Sequence, residues 1–122
     1  MTVAFAAGVA VLGIAGAIGH SLISERKFLR PLYVEPRTGL FASRSVRDVT
    51  RWIFHIPSMV WVVLGLGVLA ARIEGGNVLL SIVATTIFTA SGAGNLVALR
   101  RPHISGLLLV VTGALTLADL ML

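Results

Sequence analysis

Three histidines are the side chains of this sequence best suited to bind a prosthetic group or a metal. His20 ends the first apolar run, His55 begins the second and His103 begins the fourth. On a helix, His20 would lie roughly 7.5 Å along the axis from Glu25. If the helices carrying His20 and His55 run antiparallel, the two imidazoles share one depth. They could then hold a haem as two axial ligands, or bind a divalent metal together with Glu25.

A polar network without a cofactor is the alternative, and the sequence favours it. Histidine has an apolar ring with polar atoms, which suits the boundary of a membrane. Pro57 has no backbone N–H, so the carbonyl of Ile53 is left free to accept a hydrogen bond from a histidine. On this interpretation the histidines hold helices together and carry no chemistry.

Charged and amide side chains near the histidines could complete such a network. Glu25 and Arg26 could belong to an ion-pair network, with Glu25 reaching Arg51 or Arg100, but the sequence favours a solvated charge cluster that fixes the topology. Asn95 and nearby threonines give the third apolar run a polar stripe, which typically forms hydrogen bonds between helices. The predicted network is therefore Glu25, Arg26, Arg51 and Asn95.

Composition indicates the elements that position these side chains. Of 122 residues, 57% are hydrophobic and 12% are charged, which is too few polar residues to cover a small soluble domain. Four long runs carry almost no charge, each near the roughly 20 residues that a helix needs to cross a bilayer. The runs are continuous and do not alternate, which favours helices over a barrel. We predict an all-α fold, a four-helix transmembrane bundle in a single membrane domain over residues 1–122, with helices at about 2–24, 46–71, 77–99 and 104–121.

The first apolar run resembles a retained helix more than a cleaved signal. No basic residue precedes its apolar part, and it is longer than the apolar part of a typical signal peptide. The chain has no cysteine, which excludes disulfides, thiol chemistry and cysteine-based metal sites.

The basic residues predict an orientation in the membrane. Seven of the ten Lys and Arg residues lie between the first and second spans, and Arg100 and Arg101 lie between the third and fourth, whereas the remaining loop has Arg72 alone. The positive-inside rule places the two basic loops in the cytoplasm and both termini outside. We therefore expect a bacterial inner (cytoplasmic) membrane protein that contacts anionic lipid head groups and does not bind nucleic acid.

The first loop, residues 25–45, is predicted to leave the membrane and lie at the level of the head groups. Pro31 and Pro36 should end the first helix, and the turn "RTG" begins at Arg37. Ser45 and Asp48 have the spacing of a capping box at the start of the next helix.

Small residues recur at i,i+4 spacing in the first and third spans. This spacing lets helix backbones approach closely. We expect the first and third spans to touch, or to use these faces to join another subunit. The pairs are Gly13 with Ala17, Ala15 with Gly19, and Ala90 with Gly94.

Two stretches, "GHSLISERKFLRPL" and "RWIFHIPSMVW", resemble a family of small, uncharacterised bacterial membrane proteins with four helices. Its pattern has a His-Ser pair, a Glu-Arg pair four residues later and a Pro-Leu pair. After a variable loop come a His, a Ser three residues on and a Trp three beyond. The matching positions lie within residues 19–61: His20, Ser21, Glu25, Arg26, Pro31, Leu32, His55, Ser58 and Trp61. The family often has Gly where this chain has Ser24. The resemblance implies a four-helix membrane protein and groups His20, Glu25, Arg26 and His55, but it implies no activity.

Motifs for common reactions are absent from the sequence: there is no GxSxG, no phosphate-binding glycine loop and no HExxH. No carboxylate lies in the middle of a span, which argues against proton-coupled transport. Asp119 is near the outer end of the last span, and we expect it within reach of water. The sequence favours a non-enzymatic accessory subunit of a larger membrane complex, with other membrane subunits or further copies of itself as partners. Two alternatives stay open: a redox protein with haem or quinone near His20 and His55, and a small oligomeric transporter or channel.

Overall fold

The computed structural model describes residues 3–34 and 38–121. The predictions for Pro36 and Arg37 lie outside the described residues. In chain order the elements are α1 (Val3–Ile23), a π-helical turn (Ser24–Leu29), α2 (Arg30–Val34), a short 3-10 helix (Gly39–Ala42), α3 (Arg44–Ile73), α4 (Val78–Leu99) and α5 (Ile104–Met121).

The described residues form helices and no strands. Four helical segments are long and apolar enough to cross a membrane: Val3–Val34, Arg44–Ile73, Val78–Leu99 and Ile104–Met121. The expected all-α fold with four membrane-length helices is therefore confirmed.

The first helical segment runs further than predicted. Residues 25–34, expected to begin the loop, continue α1 through the π-helical turn into α2, so Pro31 does not end the helix. The backbone N–H of Arg30 bonds to the carbonyl of Glu25, five residues back. A π turn absorbs an extra residue and in effect restarts the helix. Pro31 then falls in the first turn of α2, where a missing N–H is tolerated.

The start of α3 also differs from the predicted capping box. The helix begins at Arg44, with Ser43 as its N-cap and no side-chain cap bond. Ser45 contacts the hydroxyl of Ser43 at 2.9 Å, and Asp48 lies 3.8 Å from the Arg44 guanidinium. At its other end α3 passes through Pro57 and ends at Ile73.

Packing of the bundle follows the order α3, α1, α5, α4. Helix α1 packs against α3 and α5, and α4 packs mainly against α5, whereas α3 and α4 contact each other less. Trp61, Phe88 and Leu109 are the large buried side chains at the centre. Because α3 and α4 are the loosest neighbours, the bundle is most open between them.

Glycines allow α4 and α5 to approach closely. A Cβ atom on Gly92 would lie 2.7 Å from the backbone nitrogen of Val110, and one on Gly113 would overlap the hydroxyl of Thr89. Such distances leave no room for a side chain, so the α4–α5 contact depends on glycine at these two positions. Sequence reasoning did not single out either residue.

The predicted small-residue pairs divide between the inside and the outside of the bundle. Gly13 and Ala17 are buried, and Gly13 lies beneath the ring of Phe88, so α1 and α4 meet at this point. Ala15, Ala90 and Gly94 are exposed, and Gly19 is half-buried. Ala90 and Gly94 do not pack against α1, because α4 turns this face outward and packs mainly on α5. Use of this face to join another subunit stays a prediction.

Candidate functional site

Two serines join the histidines of α1 and α3. The Nδ1 atom of His20 lies 3.1 Å from the Ser58 hydroxyl, and the Nδ1 atom of His55 lies 3.1 Å from the Ser21 hydroxyl. Ser21 donates to Ser58 at 3.0 Å, so a continuous series of hydrogen bonds connects His20 to His55. The two imidazoles therefore do lie at one end of the bundle, as predicted, but they are bridged by serine hydroxyls and not by the carbonyl of Ile53.

Glu25 extends this series of hydrogen bonds toward the end of the bundle. One carboxylate oxygen lies 3.5 Å from Nε2 of His55 and the other accepts a hydrogen bond of 3.0 Å from Arg51. The Arg51 guanidinium also lies over the ring of Tyr33, 5.2 Å from its centroid, a cation–π contact. Glu25 sits in the π turn, so the same irregular turn that continues the helix past Pro31 places this carboxylate between Arg51 and His55.

Trp61 connects this series of hydrogen bonds to the interior of the bundle and to α4. The rings of His20 and Trp61 meet edge to face with centroids 5.0 Å apart. The indole N–H donates to the Ser91 hydroxyl at 3.2 Å. We name these connected side chains the serine–histidine network: His20, Ser21, Glu25, His55, Ser58 and Trp61.

Proton counting gives the network a direction. Each serine hydroxyl has one proton, and that of Ser21 is used toward Ser58. Ser21 must then accept from Nδ1–H of His55. If the Ser58 hydroxyl donates to Nδ1 of His20, the proton of a neutral His20 lies on Nε2. A protonated His55 would donate at both nitrogens, to Ser21 and to Glu25.

The residues do not fit a haem held between His20 and His55. Axial ligation needs a free ring nitrogen from each histidine facing a gap large enough for the macrocycle. His55 instead has both nitrogens directed to partners, and its Nδ1 is joined to His20 through the two serines. Nor do any three His, Asp or Glu side chains of the described residues lie close enough to hold a metal ion.

A cavity of about 140 Å³ lies beside the network, among α1, α3, α4 and α5. His20, Asn95 and His103 contribute polar atoms to its wall, and Phe28 and Phe54 contribute aromatic rings. Nδ1 of His103 contacts the Ser105 hydroxyl at 2.8 Å. We name this space the histidine cavity.

The predicted network residues thus separate into three environments. Glu25 and Arg51 are paired with each other. Asn95 lies apart from them and lines the histidine cavity. Arg26 is exposed and joins neither group within the described residues. The threonines of α4 do not form one stripe, because the hydroxyl of Thr85 is buried whereas Thr86 is exposed.

An ion pair at the opposite end of the bundle was missed. Asp119 of α5, which the sequence led us to expect within reach of water, is 4% exposed. It lies 2.6 Å from the guanidinium of Arg72, at the end of α3. A signal was present, because Arg72 is the one base in its loop and Asp119 the one charge in the last span.

Comparisons of the chain with protein families, with curated proteins and with solved structures found no match in any of the three. The resemblance carried by residues 19–61 therefore stays a prediction.

Proposed function

We propose that this chain is a non-catalytic subunit that docks a transmembrane helix of a larger membrane protein against the outer face of α4. The observation that carries the proposal is a ladder of small, exposed side chains at i,i+4 spacing on that face: Thr86, Ala90 and Gly94. We name it the α4 ladder.

The α4 ladder has the properties of a helix-packing surface in lipid. Helices associate in membranes through close backbone approach over small residues, because lipid tails are as apolar as the side chains. A Cβ atom on Gly94 would meet no other atom of the described chain within 4 Å. The Thr86 hydroxyl donates to the carbonyl of Ile82 at 2.9 Å, so this polar group needs no partner from lipid.

Helix α4 also has the most surface to offer. In the apolar window of α4, 17% of residues are buried, against 28–39% for the other three spans. The gap between α3 and α4 leaves one of its sides uncovered as well. A partner helix would therefore bury more new surface on α4 than on any other span.

The charge distribution supports an orientation for this subunit in a bacterial inner membrane. The end that carries α2 and the start of α3 is rich in exposed bases, among them Arg26, Lys27 and Arg30. These would lie against anionic head groups on the cytoplasmic side, with the termini and the Arg72–Asp119 pair toward the outside. Labelling of a cysteine placed at Thr38 in intact cells tests this, since the residue should be protected.

The docking proposal is tested with two alanines that face outward on different helices. Ala90 is exposed on the α4 ladder and Ala114 is exposed on α5. Tagged wild-type protein, extracted in mild detergent, should co-elute with a stoichiometric membrane protein. Ala90→Leu should lower the amount of partner at least tenfold, whereas Ala114→Leu should leave it unchanged.

Three results would overturn this proposal, of which the first two concern the amount of partner. One is wild-type protein that elutes alone as a monomer after cross-linking in native membranes. The other is equal loss of partner with Ala90→Leu and Ala114→Leu. Recovery of a second copy of this chain in place of another protein would make the α4 ladder a homo-oligomer contact and would contradict the accessory role.

A conducting path along α4 is less well supported. The hydroxyls of Thr85 and Thr86 point to different environments, and Asn95 lies beside a cavity among the helices of one chain. The polar side chains of α4 therefore do not form a continuous surface that several copies could share.

A further inference from the structure

Three polar groups of residues that line the histidine cavity make no hydrogen bond within the described residues. Nδ1 of His20 and Nδ1 of His103 each contact a serine, which leaves Nε2 of both rings available. The side-chain amide of Asn95 makes no hydrogen bond with the described part of the chain. None of these atoms is among the fully buried unpaired atoms of the described residues, so each is accessible, and the convergence of a few polar groups on one largely apolar cavity points to a ligand.

The size and lining of the cavity restrict the ligand to a single small ring. An apolar cavity of about 150 Å³ in another protein holds one benzene molecule, and this one measures about 140 Å³. Phe28, Phe54 and Leu99 supply apolar walls. No charged side chain of the described residues lines it, so the ring should be neutral.

Polarity at the wall further restricts the ring. When Ser58 donates to Nδ1 of His20, the Nε2–H of His20 is a donor, and the Asn95 amide is both a donor and an acceptor. Carbonyl or hydroxyl oxygens on the ring would accept from the first and exchange hydrogen bonds with the second. A plain hydrocarbon ring would leave all three groups unpaired.

A groove on the outer side of α3 gives the ligand a route to the lipid. It measures about 230 Å³ and is lined by His20, Ile53, Phe54 and Pro57. His20 and Phe54 belong to both spaces, so the groove adjoins the cavity. Ile53 is 59% exposed. An apolar tail attached to the ring could therefore lie along this groove and continue into the bilayer.

We infer that the histidine cavity binds the head group of a lipid-soluble quinone or quinol, with its ring oxygens bonded to His20 and Asn95 and its tail in the groove along α3. This site is independent of the α4 ladder. It also differs from a haem site, because it uses His20 with Asn95 and leaves His55 in its contacts with Ser21 and Glu25.

Fluorescence of Trp61 reports on this site, because its ring touches His20. The test uses a Trp52→Phe background, in which Trp61 is the remaining tryptophan, in detergent micelles. Titration with a decyl-substituted benzoquinone should quench the fluorescence and saturate. A decyl alcohol, which has the tail without the ring, should not compete.

Two cavity variants and one matched control complete the experiment. Asn95→Leu removes the amide at similar volume and should weaken quinone binding roughly tenfold. Ala98→Leu, at an exposed position that lines the cavity, should also weaken it because the larger side chain narrows the space. Ala114→Leu makes the same substitution on an outward face and should not change the dissociation constant. Thermal melts identify any variant that has failed to fold, and Ala98→Leu stands in if Asn95→Leu fails.

The inference is overturned by any of three results. These are quenching that rises linearly without saturation, equal affinity in Ala98→Leu and Ala114→Leu, and displacement of the quinone by the decyl alcohol at the same concentration. The last result would identify the cavity as a site for lipid tails.

Discussion

At each end of the bundle a carboxylate–guanidinium pair joins two helical segments, and these two pairs differ in burial. At the end with the π turn, Glu25 and Arg51 lie 3.0 Å apart with side chains 32% and 46% exposed. At the other end, Asp119 and Arg72 lie 2.6 Å apart with side chains 2% and 23% exposed. The same chemistry thus sits half in water at one end and inside the protein at the other.

The surroundings of the pairs differ in the same sense. Glu25 contacts His55, which is linked through Ser21 and Ser58 to His20. His20 in turn lines the histidine cavity. The Asp119–Arg72 pair lines a cavity of about 230 Å³, and within the described residues one atom of each partner, Oδ1 of Asp119 and Nε of Arg72, is buried without a hydrogen bond. We interpret the Asp119 pair as a clamp between α3 and α5, and the Glu25 pair as the outer part of a site that exchanges with its surroundings.

The largest effect should come from breaking the clamp. Asp119→Ala leaves Arg72 partly buried and unpaired, which typically costs about 3–5 kcal/mol. Arg72 is partly exposed and can turn toward water, so we expect the lower value. Unfolding by SDS in mixed micelles measures the loss, and Glu25→Ala, expected to cost less than about 1 kcal/mol, is the comparison.

A double variant separates the charge from the packing at the clamp. Arg72→Met with Asp119→Leu removes both charges together and should recover most of the stability that Asp119→Ala loses, because replacing a buried pair with apolar groups is often neutral. If Asp119→Ala and Glu25→Ala cost the same, burial does not distinguish the two ends and the comparison fails.

The second-largest loss of stability is expected at the contact between α4 and α5. Gly92→Ala places a methyl group 2.7 Å from a backbone nitrogen of α5, and overpacking of this kind costs about 1–3 kcal/mol. Gly94→Ala, two residues away on the open face, should be neutral or stabilising. The same unfolding titration compares them, and equal stabilities for the two variants would mean that α5 lies further from α4 than described.

A smaller effect is expected inside the serine–histidine network. Ser58→Ala removes the hydroxyl that both His20 and Ser21 contact, so two half-buried groups lose a partner at about 1–2 kcal/mol. Ser45→Ala, at the exposed Ser43 contact, should cost nothing measurable. Nitrogen-15 chemical shifts of the imidazoles should change for His20 in Ser58→Ala; unchanged shifts would show that the Ser58 bond is not formed.

The sequence predicted the parts of this structure that depend on composition and spacing. Four membrane-length helices follow from charge-free runs. Arg51 was one of the two partners predicted for Glu25. The helices can be predicted from the length of each apolar run, and the ion pair from the short connection between the first two spans.

Features that depend on tertiary packing were missed or misjudged. Pro31 was expected to end a helix, since a local rule cannot foresee that a π turn restarts it. Asp119 was expected in water, because its partner Arg72 is distant in sequence and α5 brings the two together. The glycines that matter at α4 and α5 were not distinguished from Gly94, because i,i+4 spacing identifies a small-residue face and not what covers it.

The smallest effect should come from the exposed pair. Arg51→Ala should cost less than about 1 kcal/mol, since half-exposed ion pairs gain little over water, and the loss should shrink further at high salt. Arg26→Ala, an exposed base one residue from Glu25, is the control and should show no loss. A double-variant cycle of Glu25→Gln and Arg51→Ala isolates the coupling between the two side chains. A coupling as large as the one between Asp119 and Arg72, and unchanged by salt, would show that a membrane surface or a partner buries this end too, and the distinction between clamp and exchanging site would then be wrong.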